Sequence, residues 1–219
     1  MSKADLFERL MLLIPLVLSL SVHEWAHAWS AFRLGDDTAE RLGRLTLNPL
    51  AHIDPIGTVL LPLMGVPFGW AKPVPVNPVR FRRGVTMRTG MMITASAGPL
   101  ANVALAIACT VLLGLFWRFA SALLAHQPVI FIFLQHGIGL NLALAIFNLL
   151  PVPPLDGSRV ADGLMPRRLR PAWEAFARRG PIVLLGLIIL PGFLGFSVIG
   201  WPLQQAENLI DHLLRFVVG

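Results

Sequence analysis

The hydrophobic residues of the chain are gathered into long runs, which are separated by shorter polar segments rich in proline and glycine. A helix needs about 20 apolar residues to cross the hydrocarbon core of a bilayer. Runs of this length predict spanning helices from Ala4 to Leu34, from Thr86 to Trp117 and from Val129 to Leu150. A fourth run, from Gly180 to about Gly200, predicts another membrane helix, interrupted at Pro191. The pattern therefore predicts an all-α polytopic membrane protein.

Four shorter segments have patterns of their own. Ala39 to Leu47 alternates in polarity and predicts a short strand. Ile56 to Val66 is apolar but too short to cross, so we expect a re-entrant or partly buried helix. Val66 to Phe81 contains four prolines, which exclude a helix and favour an extended, hairpin-like strand. Gln204 to Phe216 is amphipathic and predicts a helix at a membrane interface.

These segments together predict a single membrane-embedded domain covering residues 1–219. We expect a three-helix core with a small β-hairpin or sheet element at about residues 4–165. An additional membrane helix and the interfacial segment should follow at about residues 180–219.

Composition and charge agree with a membrane protein. Hydrophobic residues make up 55% of the chain and charged residues only 14%, with a mean hydropathy of +0.69. The net charge of +6 comes from clustered basic residues: of 18, eight lie between Arg33 and Arg88 and six between Arg159 and Arg179. Basic loops beside spanning helices are typical of the cytoplasmic side. The charge therefore predicts two cytoplasmic loops and no nucleic-acid partner. A single cysteine, Cys109, excludes a disulfide framework.

The first predicted helix contains the sequence His23-Glu24-Trp25-Ala26-His27. Two histidines four residues apart share one helix face, where both imidazoles can reach one metal ion while the glutamate stands beside a metal-bound water. Ionisable residues inside a membrane helix are costly and indicate function by default. The alternative is a polar helix interface without a metal.

Asp156 is the natural third ligand. It follows a proline-rich run that ends the third helix, on backbone that has to line a cavity rather than contact lipid. Taken alone, Asp156-Gly157 is equally well explained as a turn. Topology favours the ligand: with a cytoplasmic Arg33–Arg88 loop, His23 and His27 lie within about three turns of that face, and the third helix returns to it.

Several motifs together resemble the site-2 protease family of intramembrane zinc metalloproteases. Two of them resemble the compact branch that lacks a PDZ domain: Asn48-Pro49-x-x-His52 and the run from Gly69 to Pro78. The resemblance covers roughly residues 15 to 165. The other motifs that carry it are His23-Glu24-x-x-His27, Gly98-Pro99-Leu100-Ala101-Asn102, and Asn148 through Leu155-Asp156-Gly157.

The resemblance implies one Zn²⁺ per chain, held by His23, His27 and Asp156, with Glu24 as catalytic base. It implies a catalytic core in a prokaryotic inner membrane, opening to the cytoplasm, and a substrate that is a transmembrane helix of another protein. Two imidazoles and a carboxylate would leave a fourth zinc position for water. Asn148 matches the asparagine that is thought to stabilise the oxyanion in the family, and its uncharged amide suits that role.

Three further polar residues are candidates for supporting the metal ligands. Asn141 shares a helix face with Asn148, and Asn102 faces the site only if the second helix has a suitable rotation. Buried asparagines in membrane helices more often only bond across helices, so that interpretation stays open for both. For His52, a loop-bracing role or contact with a ligand is favoured over metal binding, because the three ligands are already assigned.

A helical peptide bond is shielded by its own hydrogen bonds, so we expect a substrate to unwind before hydrolysis. The Val66–Phe81 segment then offers an edge for main-chain pairing, the alternative being a simple surface hairpin. Two other functions remain open: a cation transporter or channel, and a catalytically silent binding module of the same fold. The absence of matching sequence halves argues against the transporter, and the intact Glu24 against the silent module. The sequence leaves the oligomeric state open.

Overall fold

The computed structural model describes residues 3–65, 69–194 and 200–218. Within these ranges the chain forms α-helices joined by turns and irregular segments. The α-helices in chain order are α1 (Lys3–Arg33), α2 (Thr38–Arg41), α3 (Leu61–Leu63), α4 (Met87–Phe119), α5 (Ser121–His126), α6 (Pro128–Asn148), α7 (Asp156–Leu164), α8 (Arg170–Ala177), α9 (Gly180–Leu194) and α10 (Gly200–Val218).

Helices α1, α4 and α6 form the core of the molecule. Each is long and apolar enough to cross a membrane, and α4 packs against both of the others. Their ends lie within two residues of the predicted ones, because an apolar run of this length admits few alternatives to a spanning helix. The start of α4 is capped by Thr86, whose hydroxyl accepts a hydrogen bond from the Thr89 amide at 3.1 Å. The prediction of three helices that are long and apolar enough to span a membrane is confirmed.

The strand prediction is wrong: the described residues contain no β-strand. In the 39–47 segment, the carboxylate of Asp36 accepts the Thr38 amide at 3.0 Å and thereby starts the short helix α2. The chain then turns back, and the Arg44 amide donates to the Ala39 carbonyl at 2.8 Å. Alternating polarity over so few residues fits a helical turn as well as a strand, and the structure contains the helical turn.

The proline-rich segment is extended but unpaired by any neighbouring strand. Before it come a widened helical turn, Pro55–Leu60, and helix α3. They lie in the segment where the sequence predicts a re-entrant or partly buried helix. The amides of Trp70 and Lys72 then donate to the carbonyls of Gly57 and His52 at 3.3 and 2.9 Å. These acceptors belong to turns, so no ladder forms. Residues 66–68 of the predicted hairpin lie outside the described residues.

Helix α7 packs against α4, where Gly163 allows close approach to Met92. Helix α9 continues through Pro191, and the apolar stretch found in its described residues, Gly180–Leu190, is shorter than a membrane span. Residues 195–199 of the predicted fourth helix lie outside the described residues. The described ranges thus contain three helices of spanning length.

Helix α10 contains the segment predicted to lie at an interface. The structure packs its apolar side against α4 and α6, where Leu203, Ile210 and Leu214 contact the buried cluster around Leu113 and Leu134. Its other face carries the charged residues. The apolar face of this amphipathic helix therefore packs against the protein in this structure.

Candidate metal centre

Three potential ligand atoms meet between α1 and the start of α7. His23 Nε2 and His27 Nε2 lie 3.0 Å apart, and they lie 3.1 and 3.2 Å from the Oδ2 atom of Asp156. Ligands about 2.0–2.1 Å from a tetrahedral zinc ion are separated by about 3.3 Å, so the triangle has nearly the right size for one face of a zinc site. The sequence-predicted trio is brought together.

The hydrogen bonds of the two histidines indicate which of their ring nitrogens carry the protons. His23 Nδ1 faces the side-chain oxygen Oδ1 of Asn102 at 2.5 Å, and His27 Nδ1 faces the backbone carbonyl oxygen of Thr94 at 2.7 Å. Both Nδ1 atoms face acceptors, so they carry the protons, and the Nε2 lone pairs point at the Asp156 carboxylate. Three converging lone pairs repel one another unless a cation lies between them. The donor set therefore fits a divalent metal ion with borderline-soft ligand preference, such as Zn²⁺.

Asp156 is delivered to the histidines by the chain reversal after α6. It is the first residue of α7, and Gly157 beside it packs directly on the Leu149 carbonyl, which a Cβ would approach to 2.1 Å. Burial raises the pKa of Asp156, but hydrogen bonds and positive charge from the His23 and His27 rings outweigh burial and hold that pKa below its usual range. A cation between the three side chains, whether a proton shared with the rings or a metal ion, therefore favours the ionised carboxylate.

Helix α4 reaches the site through Gly98. A Cβ at this position would lie 2.5 Å from His27 Nε2 and 2.7 Å from His23 Cε1. Such distances are too short for real carbon atoms, so only glycine lets the α4 backbone pack against the two rings. This close approach also brings the Thr94 carbonyl to His27.

Glu24, the predicted base, lies on the same helix and is 9% exposed. Its Oε2 atom accepts a hydrogen bond from the Val74 amide at 2.7 Å. Val74 belongs to the extended proline-rich segment, so this segment contacts the site through its main chain. The contact fixes one carboxylate oxygen of Glu24.

Asn148 lies at the end of α6, where its amide donates to the Leu144 carbonyl of its own helix at 3.0 Å. His52 is outside the metal triangle: its Nε2 atom is 2.8 Å from the Thr46 carbonyl, and its own carbonyl accepts the Lys72 amide. His52 therefore braces the loop that holds the extended segment, which was one of the two roles expected of it. The part that Asn148 plays in the reaction stays a prediction.

Asn102 and Asn141 are both buried and both linked to the site. Asn102 accepts from His23 and donates to the side-chain oxygen of Asn141 at 2.7 Å. Asn141 in turn donates to the Ser19 hydroxyl at 2.8 Å and to the Gly137 carbonyl at 2.7 Å. The two interpretations left open by the sequence are thus compatible, because both asparagines bond across helices and Asn102 also contacts the proposed ligand His23.

Comparison with known proteins identifies the family. The sequence profile described as Peptidase family M50 matches residues 118–189. A Bacillus subtilis (strain 168) protein named "Putative zinc metalloprotease YwhC" is 42% identical over 205 residues, which are 93% of this chain and 89% of that protein. The chain belongs to peptidase family M50, the site-2 protease family.

More distant M50 relatives are mycobacterial. A Mycolicibacterium smegmatis protein named "Putative zinc metalloprotease Rip2" is 30% identical over 175 residues, 80% of this chain and 65% of that protein. The protein of the same name from Mycobacterium tuberculosis (strain H37Rv) is 29% identical over 196 residues, 89% of this chain and 71% of that protein. No solved structure matches the chain significantly. The family resemblance stated from the motifs is confirmed.

Sequence reasoning missed three contributors to this M50 site. Thr94 acts through its backbone carbonyl and Val74 through its backbone amide, and any residue but proline has that amide. Neither can be found from residue type. Ser19 is a small polar residue on the face that also carries His23, four residues later, and this spacing was a usable signal.

Proposed function

We propose that this protein is a zinc-dependent endopeptidase that hydrolyses peptide bonds within the transmembrane helices of other proteins. The observation that supports this most directly is the triangle of His23, His27 and Asp156, with Glu24 one residue from the first ligand, inside a bundle of membrane-length helices. The M50 relatives named as zinc metalloproteases support both the metal and the reaction. We assign one zinc ion to each chain.

The residues of the site divide the work of hydrolysis among them. His23, His27 and Asp156 would hold the ion, which supplies Lewis acidity for activating water and polarising the scissile carbonyl near neutral pH. Glu24 accepts the proton of the attacking water and passes it to the leaving amine. Asn148 supplies a neutral hydrogen-bond donor to the carbonyl oxygen as negative charge develops on it, after its amide leaves the Leu144 carbonyl.

We place the protein in the inner membrane of a prokaryotic cell with the site near the cytoplasmic face. The Arg33–Arg88 and Arg159–Arg179 loops contain 14 of the 18 basic residues, and both adjoin the helix ends that carry the site. His27 lies six residues before the end of α1, about 9 Å along the helix axis. The scissile bond would therefore be cut near the cytoplasmic end of the substrate helix.

The extended segment has the properties of a docking edge for an unwound substrate. The amides of Trp70, Lys72 and Val74, at alternate positions, donate inwards to Gly57, His52 and Glu24 respectively. In an extended chain positions 71, 73 and 75 face the other way, and Pro73 and Pro75 have no amide proton. The outer edge thus offers carbonyl acceptors, which suits a substrate strand that donates its own amides and discourages pairing between copies of the edge.

Glu24→Gln tests the reaction. The substitution preserves shape but removes the base, so we expect cleavage of a reconstituted helical substrate to fall at least about 100-fold, within the range for general-base catalysis, while zinc content remains one per chain. His23→Ala serves as the comparison that loses zinc as well. Residual cleavage of Glu24→Gln near the wild-type rate would contradict the assignment, and zinc flux into proteoliposomes would indicate transport.

Two proline substitutions separate docking from support of Glu24. Val74→Pro removes the amide proton that is donated to Glu24, so a loss of activity could come from the base or from substrate docking. Ala71→Pro removes an outward-facing amide from the same segment without touching that bond, and we expect it to raise KM for a helical substrate with unchanged zinc content. If Ala71→Pro cleaves with wild-type KM, the docking edge is the wrong surface, although the peptidase assignment stands.

A further inference from the structure

A continuous chain of buried hydrogen bonds runs from the metal centre into the middle of the helix bundle. It joins His23 and Ser19 on α1, Asn102 on α4 and Asn141 on α6. Ser19, Asn102 and Asn141 are each at most 1% exposed. A polar side chain is costly to bury at this depth without partners, so each bond in the chain constrains the next.

The direction of every bond in this chain is fixed by backbone carbonyls, which can only accept. The Gly137 carbonyl lies 2.7 Å from the Asn141 amide nitrogen, so Asn141 presents its NH2 group there and its oxygen to Asn102. The Asn102 amide nitrogen, which also lies 3.4 Å from the Ser19 carbonyl, then faces Asn141. The Asn102 oxygen is left for His23 Nδ1, which has to donate to it.

We propose that Asn102 and Asn141 form a positioning relay for the metal centre, which holds His23 with its Nδ1 proton on Asn102 and its Nε2 lone pair on the metal. This inference rests on the proposed metal site. Asn141 does not contact His23; it acts by preventing the Asn102 amide from rotating by half a turn. A rotated Asn102 would offer NH2 to Nδ1 and stabilise the tautomer whose Nε2 carries a proton and cannot bind a metal. The relay thereby links correct packing of α1, α4 and α6 to metal binding.

Asn141→Leu and Asn141→Asp distinguish the relay from a purely structural role. Leucine removes the acceptor for Asn102, so we expect the Kd for Zn²⁺ to rise about 10- to 100-fold, the range for lost partners of metal-bound histidines. The acid form of the aspartate substitution can accept from Asn102 and donate to Gly137, so its affinity should exceed that of Asn141→Leu by at least about tenfold. A structural role predicts the opposite order, because a buried acid disrupts an apolar bundle more than leucine does.

The measurement is competition for Zn²⁺ against a chromophoric chelator, with full-length protein in detergent micelles. Thr110→Val is the matched control: Thr110 is fully buried on α4, and its hydroxyl bonds only the Ala106 carbonyl of its own helix. It should bind Zn²⁺ like the wild type. Asn102→Leu removes the last bond of the relay directly and should also weaken binding about 10- to 100-fold; it takes the place of Asn141→Leu if that variant does not fold.

The outcomes separate the relay from the metal site itself. Wild-type affinity in Asn141→Leu or in Asn102→Leu, together with loss of binding in His23→Ala, would overturn the relay and leave the metal site intact. Equal losses in Asn141→Leu and Asn141→Asp would also overturn it. Zn²⁺ binding that survives His23→Ala unchanged would instead refute the metal site on which the relay depends.

Discussion

At the scale of single residues, the sequence predicted which three candidate metal ligands come together, but not the main-chain groups that contact them and Glu24. Four-residue spacing on a helix fixes the relation of His23 to His27, whatever surrounds them. Asp156 needed the topology of the whole core, which the long apolar runs supplied. The amide of Val74 bonds Glu24 through the main chain, and main-chain groups leave no mark in residue type. For the same reason the carbonyl of Thr94 could not be assigned to His27.

Gly98 gives a prediction at this scale. Gly98→Ala introduces a methyl group 2.5 Å from His27 Nε2, so either the rings or α4 must move. We expect Zn²⁺ affinity to fall by at least about tenfold, as when the support of a metal-bound histidine is lost. Gly139→Ala on α6 is the control, because a Cβ there meets nothing within 4 Å. Chelator competition measures both, and equal affinities would show that α4 packs differently against the rings.

At the scale of elements, long helices were predictable and short segments were not. A run of 20 apolar residues has one good solution in a membrane, whereas nine residues of alternating polarity have several. In residues 39–47 the chain forms a helical turn instead of a strand, next to the bond between the Asp36 carboxylate and the Thr38 amide. In residues 69–77 the prolines did exclude a helix, but turn carbonyls and Glu24 took the amides that a partner strand would need. An extended backbone was thus correct where sheet pairing was wrong.

Helix α7 is held on α4 by an ion pair that can be tested. Arg88 contacts both carboxylate oxygens of Asp162, at 3.1 and 3.2 Å, and α7 begins with the ligand Asp156. The pair is partly exposed, so we expect Asp162→Asn to weaken the packing of α7 on α4 by at most about 1 kcal/mol. If that loss is transmitted fully to Asp156, Zn²⁺ affinity falls about fivefold. Combining R88D with D162R should restore most of that loss. A double variant no better than the single ones would show that the charges do not orient α7.

At the scale of the whole molecule, the proposed metal connects parts of the chain that are distant in sequence. His23 and His27 belong to the first spanning helix, and Asp156 follows the third. In the sequence between them lie α4, which packs against both α1 and α7, and the loop that brings the Val74 amide to Glu24. Because these ligands meet only in the folded chain, the free energy of binding the ion would add to the stability of the whole bundle.

Zinc should therefore raise the thermal stability of the entire protein. Binding at a free concentration 100 times the Kd adds about 2.7 kcal/mol to the free energy of unfolding, provided that the unfolded chain does not bind. We expect thermal unfolding in micelles to shift upwards on zinc addition and back on chelation. Glu24→Gln keeps all three ligands and should show the full shift, whereas Asp156→Asn should show little, because two histidines four residues apart bind an ion without joining α1 to α7. An equal shift in Asp156→Asn would mean that zinc stabilises the protein from another site, and the carboxylate would then have no part in binding the ion.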